Sequence, residues 1–112
     1  MVYWVTSDVI TAAKLNRNGV VGKVVGDSPY TIVEGDDIIL CDCTSGAITI
    51  NLLTAVGRTG KRIDIKKIDS SAYAVTIDAN GTETIDGALT QTCYGQYDSY
   101  TLISDGTNWS II

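Results

Sequence analysis

Histidine is absent from this sequence and so is phenylalanine, there is a single proline, and the cysteines number three. Without histidine, serine–histidine and cysteine–histidine nucleophilic catalysis are excluded, as is histidine general-base chemistry. Three cysteines cannot all pair within one chain. Cys41 and Cys43, two apart on an expected strand, share a face in poor geometry for a bridge, so all three read as reduced, buried, small apolar residues. A metal site would have only Cys93 and carboxylates left to complete it, and neither a metal nor a cofactor is expected. No apolar stretch approaches the ~20 residues of a membrane helix, and no basic segment leads into a long apolar run near Met1. Neither membrane span nor secretory leader is expected, and a protein made and kept soluble in the cytosol follows as the expectation. Basic residues are scarce, 8 against 13 acidic, for a net charge of −5. That balance lacks the basic stripe that phosphate binding requires, so nucleic acid is not an expected partner.

What is present is apolar for a small protein. Apolar residues make up 45% of 112, and a domain of this length buries only about two thirds of its unfolded surface. Neighbouring chains are expected to cover part of the remainder. Charge is uneven as well. Residues 1–26 hold Lys14, Arg17 and Lys23 against Asp8, which leaves 5 basic and 12 acidic groups to residues 27–112.

Two regions are expected, an N-terminal arm over residues 1–29 and a β-domain over 30–112. In the arm, Met1–Thr6 suits a short strand and Ser7-Asp8 offers an N-cap for one or two helical turns. Gly19–Gly26 then carries two Val-Val pairs among glycines. Exposed valine pairs are a liability unless a partner covers them or the segment folds back as an edge strand of its own body. Asp27-Ser28-Pro29 breaks the chain, because proline fixes φ and holds the preceding residue extended.

From Tyr30 short apolar runs alternate with turn clusters. Tyr30–Val33 and Ile38–Cys43 flank Glu34–Asp37 as an expected hairpin. Ala47–Leu52 places Ile48, Ile50 and Leu52 on one face, and Lys61–Ile68 turns Ile63 and Ile65 inward. Val75–Asp78 and Thr82–Ile85 are expected strands around Ala79-Asn80-Gly81. Ser99–Ser104 and Trp109–Ile112 form a closing hairpin around Asp105–Asn108, where glycine reaches positive φ and Asp and Asn bond to their own backbone. Eight or nine short strands suit an all-β fold, a small antiparallel β-sandwich of jelly-roll type with an extended N-terminal arm.

Candidates for chemistry are few. Asp36 and Asp37 are adjacent on an extended segment and point apart, which disfavours paired-carboxylate hydrolysis; no catalytic residue is assigned. Asp78–Glu83 has the oxygen-rich composition of a calcium loop, but an EF-hand glutamate is missing at its twelfth position, where Leu89 stands. Arg58, Lys61, Arg62, Lys66 and Lys67 form a basic cluster, either a contact for an acidic patch on another subunit or a solvated strand face balanced by Asp64 and Asp69. Tyr94, Tyr97, Tyr100 and Trp109 combine rings with polar tips, which serve subunit contacts and sugar platforms alike.

The run Ser-Asp-Gly-Thr-Asn-Trp at 104–109 before a terminal apolar pair, with Asp69–Gly87 upstream, resembles the small β-domains of tailed-bacteriophage virion proteins. Ile10–Asn16 with Val20-Val21 is similar to a repeat unit of trimeric phage fibre shafts. The resemblance implies a non-enzymatic structural protein, a homotrimer, either a head-decoration (cement) protein on the major capsid protein or a tail-fibre tip that touches host glycan. The absence of a long shaft favours decoration, with the protein on the head surface of the virion. On that reading the arm's Val2, Tyr3, Trp4, Ile10, Leu15, Val20, Val21, Val24 and Val25 make the capsid or inter-subunit contact, and the four aromatics serve the trimer or a glycan.

Overall fold

The structure, a computed structural model, describes residues 19–112. The expected contacts of Val2, Tyr3, Trp4, Ile10 and Leu15, and the expected helical turns after Ser7, lie outside those residues. The fold is all-β. Its strands in chain order are β1 (Val20–Val24), β2 (Tyr30–Thr31), β3 (Ile38–Asp42), β4 (Ile48–Asn51), β5 (Arg62–Lys67), β6 (Val75–Asp78), β7 (Thr90–Cys93), β8 (Ser99–Ser104) and β9 (Trp109–Ile111). A single 3-10 turn, Val25–Asp27, follows β1.

Two sheets result, one ordered β1-β3-β5-β8-β9 and the other β2-β4-β6-β7. From β1 to β6 the chain alternates between them, so strands that neighbour each other in a sheet are two apart in sequence. Each return to a sheet runs in the same direction, and β1 with β3, β3 with β5, β2 with β4, and β4 with β6 are all parallel. The antiparallel pairs are confined to β5 with β8, β6 with β7, and β8 with β9. The expected wholly antiparallel jelly roll is therefore replaced by two mixed sheets. The expected hairpin around Glu34–Asp37 is absent too, because β2 and β3 lie in different sheets. Parallel strands ordinarily need a helical crossover; here the opposite sheet serves as the crossover, and short loops suffice.

Alternation within each strand assigns the two faces. Ile39, Ile63, Ile65 and Leu102 of the five-stranded sheet meet Ile48, Ile50 and Ile77 of the four-stranded one, all essentially inaccessible to solvent. Cys41, Cys43 and Cys93 are buried and unbridged among them. Burial pushes the Cys41 thiol up to about 12 and that of Cys93 to about 11; such thiols are inert. The closing hairpin forms as expected, with Leu102 opposite Ile111 and Ser104 opposite Trp109. Thr82–Ile85, expected as a strand, reduces to bridges from Ile85 to Ala88 and Trp109.

The start of the body is fixed by a close approach of two glycines. The Gly19 carbonyl accepts the amides of Asp37 and Ile38 at 2.8 and 2.9 Å, and its own N–H donates to Asp37 Oδ2 at 3.0 Å. A Cβ on residue 19 would sit 2.0 Å from the Gly35 carbonyl oxygen. Only glycine allows β1 to enter the sheet there.

Candidate functional site

Two features remain once the core is assigned, an apolar strip at one edge and a tyrosine-bearing end. The strip begins with β1, the outermost strand of its sheet among the described residues. Residues 20–24 belong to the stretch expected as an arm, and they lie paired on the body. Register puts Val20 opposite Ile38, Gly22 opposite Leu40 and Val24 opposite Asp42. These alternate with Val21, which packs on the core, and with buried Ile39 and Cys41. The outward set is Val20, Gly22 and Val24 on β1 with Ile38, Leu40 and Asp42 on β3, apolar except at its Asp42 end. Val20 and Val24 are each 53% exposed, and a Cβ at Gly22 would meet nothing within 4 Å. Two valines therefore flank a notch at Gly22, with Leu40 beside it on β3. Beside it a depression of about 160 Å³ is lined by Val24, Val25, Gly26, Asp42, Thr44 and Ser45.

On the inward side of the same strand, Lys23 Nζ lies 3.8 Å from the centroid of the Tyr30 ring, within cation–π range. The Tyr30 hydroxyl donates to Asp36, whose Oδ2 also accepts the Val33 amide at 3.1 Å. The hydrogen bond to Asp36 and then burial push the Tyr30 phenol up to about 12. This pair holds the turn that carries Gly35 against Gly19.

The basic cluster of the sequence is dispersed by the fold. Arg58 pairs with Glu34 at 2.8 Å and Lys61 with Asp37 at 3.0 Å. Arg62, Asp64 and Lys66 alternate with buried Ile63 and Ile65 and so line the outer face of β5. Lys67 points inward and is wholly buried. Its ammonium donates to Asp69 Oδ2 at 2.9 Å, to the Asp69 carbonyl at 2.9 Å and to the Ser71 carbonyl at 3.0 Å. Asp69 Oδ1 in turn accepts the Cys43 amide at 2.6 Å. Burial alone would raise the Asp69 carboxyl, but hydrogen bonds from Ser71, Lys67 and the Cys43 and Ser71 amides outweigh it and hold it well below the usual carboxylate range. Sequence reading missed this cage, although the inward rhythm of Ile63 and Ile65 extends to position 67.

The four aromatics do not form one group. Trp109 is a core residue, 1% exposed. Tyr100 leans on the core and its hydroxyl bridges the sheets, donating to the Thr92 carbonyl at 3.2 Å. Tyr94 and Tyr97 are open to solvent, 71% and 61% exposed, and are joined by Tyr73 at 50%. Tyr73 was missed because an isolated tyrosine in a serine- and alanine-rich loop carries no pattern.

Among the described residues no group of three or more Cys, Asp or Glu side chains is placed to hold a metal ion. Glu83, from the stretch compared with a calcium loop, instead accepts the Thr54 hydroxyl and, at 2.8 Å, the Ala55 amide. Asp86 accepts the Ile111 amide at 3.0 Å. These carboxylates fasten loops to strands. No helix among the described residues is long and apolar enough to cross a membrane.

Fold and surface together define an all-β protein of two mixed sheets with a partly apolar edge. Compared with known proteins, the chain matches no protein-family model and no curated protein.

Proposed function

We propose that the chain is a non-enzymatic structural protein of a tailed-phage virion, a homotrimer that decorates the head and cements the major capsid protein. The supporting observation is the outward strip of Val20, Val24, Ile38 and Leu40 around the notch at Gly22. Monomeric β-proteins protect an edge with charge, inward-turned charge included, or proline; here the one charge of the edge strand, Lys23, turns inward over the Tyr30 ring, and its outward residues are two valines and a glycine. The exposed half of each valine contributes on the order of 1 kcal/mol when covered. Repeated in every copy, that is enough to bias association. On this reading the strip, together with residues 1–18 that precede it in the sequence, serves both neighbouring protomers and capsid. No nucleic acid, membrane or cofactor takes part.

The test is sedimentation of the wild type and of Val20→Asp/Val24→Asp, followed by decoration of expanded capsids. The wild type is expected to sediment as a trimer and to load the head in many copies, the variant as a folded monomer that does not load. A wild type that stays monomeric, or a variant that decorates at full occupancy, removes the proposal. A second reading, a tail-fibre or receptor-binding tip, is favoured by exposed Tyr94 and Tyr97. A handful of copies at the tail, seen by cryo-electron microscopy of intact particles, would select it.

A further inference from the structure

The two edges of the five-stranded sheet are finished differently. At β9 the chain closes its own ladder: the Trp109 amide donates to the Thr84 carbonyl at 2.9 Å, the Trp109 carbonyl accepts the Asp86 amide at 3.1 Å, and Asp86 Oδ1 accepts the Ile111 amide at 3.0 Å. At β1 no described strand lies beyond the edge. The Ile38 amide donates to the Gly19 carbonyl, which sets the phase of the parallel ladder, so Val21 and Lys23 turn their backbone groups to β3 while Val20, Gly22 and Val24 turn theirs away. Asp27 Oδ2 meets the Val24 amide at 2.9 Å and stops further pairing there. The N–H and C=O groups of Val20 and Gly22 remain, a template for one more short strand.

The circuit of the chain says which strand fits. β3 stands eighteen residues after β1, with Val20 facing Ile38 and Val24 facing Asp42, and residues 25–37 make the connection. Eighteen residues before β1 stand Val2–Thr6, and the connection from them to β1, residues 7–19, has the same length as 25–37. One further turn of the same spiral brings Tyr3 opposite Val21, Trp4 opposite Gly22 and Val5 opposite Lys23. Trp4 then falls on the one residue of β1 that has no side chain, where an added Cβ meets nothing within 4 Å. An aromatic ring laid across a strand glycine from the neighbouring strand covers its bare backbone. Tyr3 and Val5 fall on the inward side, beside Val21 and the stem of Lys23, both of which the described body leaves half-buried.

We infer that Val2–Thr6 of the same chain add to the outer edge of β1 as a further parallel strand, with Tyr3 and Val5 exchanging hydrogen bonds with Val20 and Gly22 and the Trp4 ring lying on Gly22. The chain's own segment is favoured over a neighbour's because the connection it needs is one the chain already makes from β1 to β3, and because a tethered segment meets the edge at high effective concentration. The added strand closes the edge and extends the outward apolar strip by Val2 and Trp4. The inference goes beyond the decoration reading and stands without it, since it concerns what pairs with the edge of the sheet and not what lies against its face.

The experiment is hydrogen exchange by NMR on the full chain. The Gly22 amide is expected to be protected, and nuclear Overhauser contacts are expected between the Trp4 indole and the Gly22 Hα. Tyr3→Pro/Val5→Pro removes the two N–H groups that face β1. It is expected to speed exchange at Gly22 by about tenfold or more, while Ile65, in the middle of the sheet, exchanges as in the wild type. The added strand is overturned if wild-type Gly22 exchanges at the rate of an unpaired amide, or if the double-proline variant keeps its protection, which would give the edge to another occupant. A mixture of isotope-labelled and unlabelled protein decides whose segment it is. Contacts within single copies are expected, and contacts between labelled and unlabelled copies would overturn the same-chain assignment. Sedimentation separates this inference from the decoration reading: a monomer with Gly22 protected ends the trimer and leaves the strand, whereas a trimer with Gly22 unprotected ends the strand alone.

Discussion

Lys67 shows how much one residue organises. A buried ion pair adds little net stability over an apolar pair, but removal of one partner strands the other charge and costs roughly 3–5 kcal/mol. Asp69→Ala is therefore expected to lower stability by about that amount in urea titrations, with the buried ammonium left among carbonyls. The pH dependence has a defined sign. The folded Asp69 carboxyl lies below its ordinary value, so its contribution is complete above about pH 4 and is lost as pH falls through the depressed folded value. Wild-type urea midpoints are expected to drop more steeply between about pH 4 and pH 2 than those of Asp69→Asn; equal slopes would refute the assignment. Asp69 was legible as a balancing charge, but on a solvated face; the burial of the pair was not, because lysine is among the least buried residue types and its cage is closed by a loop. Trp109 is the complementary case. A tryptophan after a polar turn reads equally as a contact or a core residue, and only the pairing of Ser104 with Trp109 puts it inside.

Strands were far more legible than their partners. Alternation placed Ile48, Ile50, Ile63 and Ile65 inward, and the turn chemistry of Asp105–Asn108 identified the final hairpin, since both signals are local. Direction of pairing is not a local signal. Parallel strands buried on both faces read as continuous apolar runs, whereas β3–β6 each keep one outward face of mixed or polar side chains and so carry the alternation of antiparallel strands. The contact strip is an element-scale property too, because it joins a strand of the expected arm to one of the expected body. Gly22→Val tests it directly. With nothing near the added Cβ and a gain in strand propensity of up to ~1 kcal/mol, thermal stability is expected to hold or rise. Self-association is expected to weaken as the notch fills. An unchanged sedimentation profile would show that Gly22 is not part of the contact.

At the scale of the molecule, the boundary between arm and body is what the pairing of β1 bears upon. Removal of residues 1–18 leaves every described strand in place and is expected to yield a folded protein. Removal of residues 1–26 takes away β1, uncovers the flank of β3, and is expected to lower the melting temperature by several degrees, at the ~4–8 °C per kcal/mol typical of small domains. Calorimetry of the two truncations decides this, and equal melting temperatures would mean that β1 is only loosely attached. The alternating path of β1–β6 has one more consequence. Each circuit of the chain lays one strand on each sheet in an unchanging direction, so another circuit could be spliced in upstream of β1 in the same sense, whereas the reversals at β7 and β8 interrupt the rule. Such an architecture can be lengthened from one side alone, the side of β1.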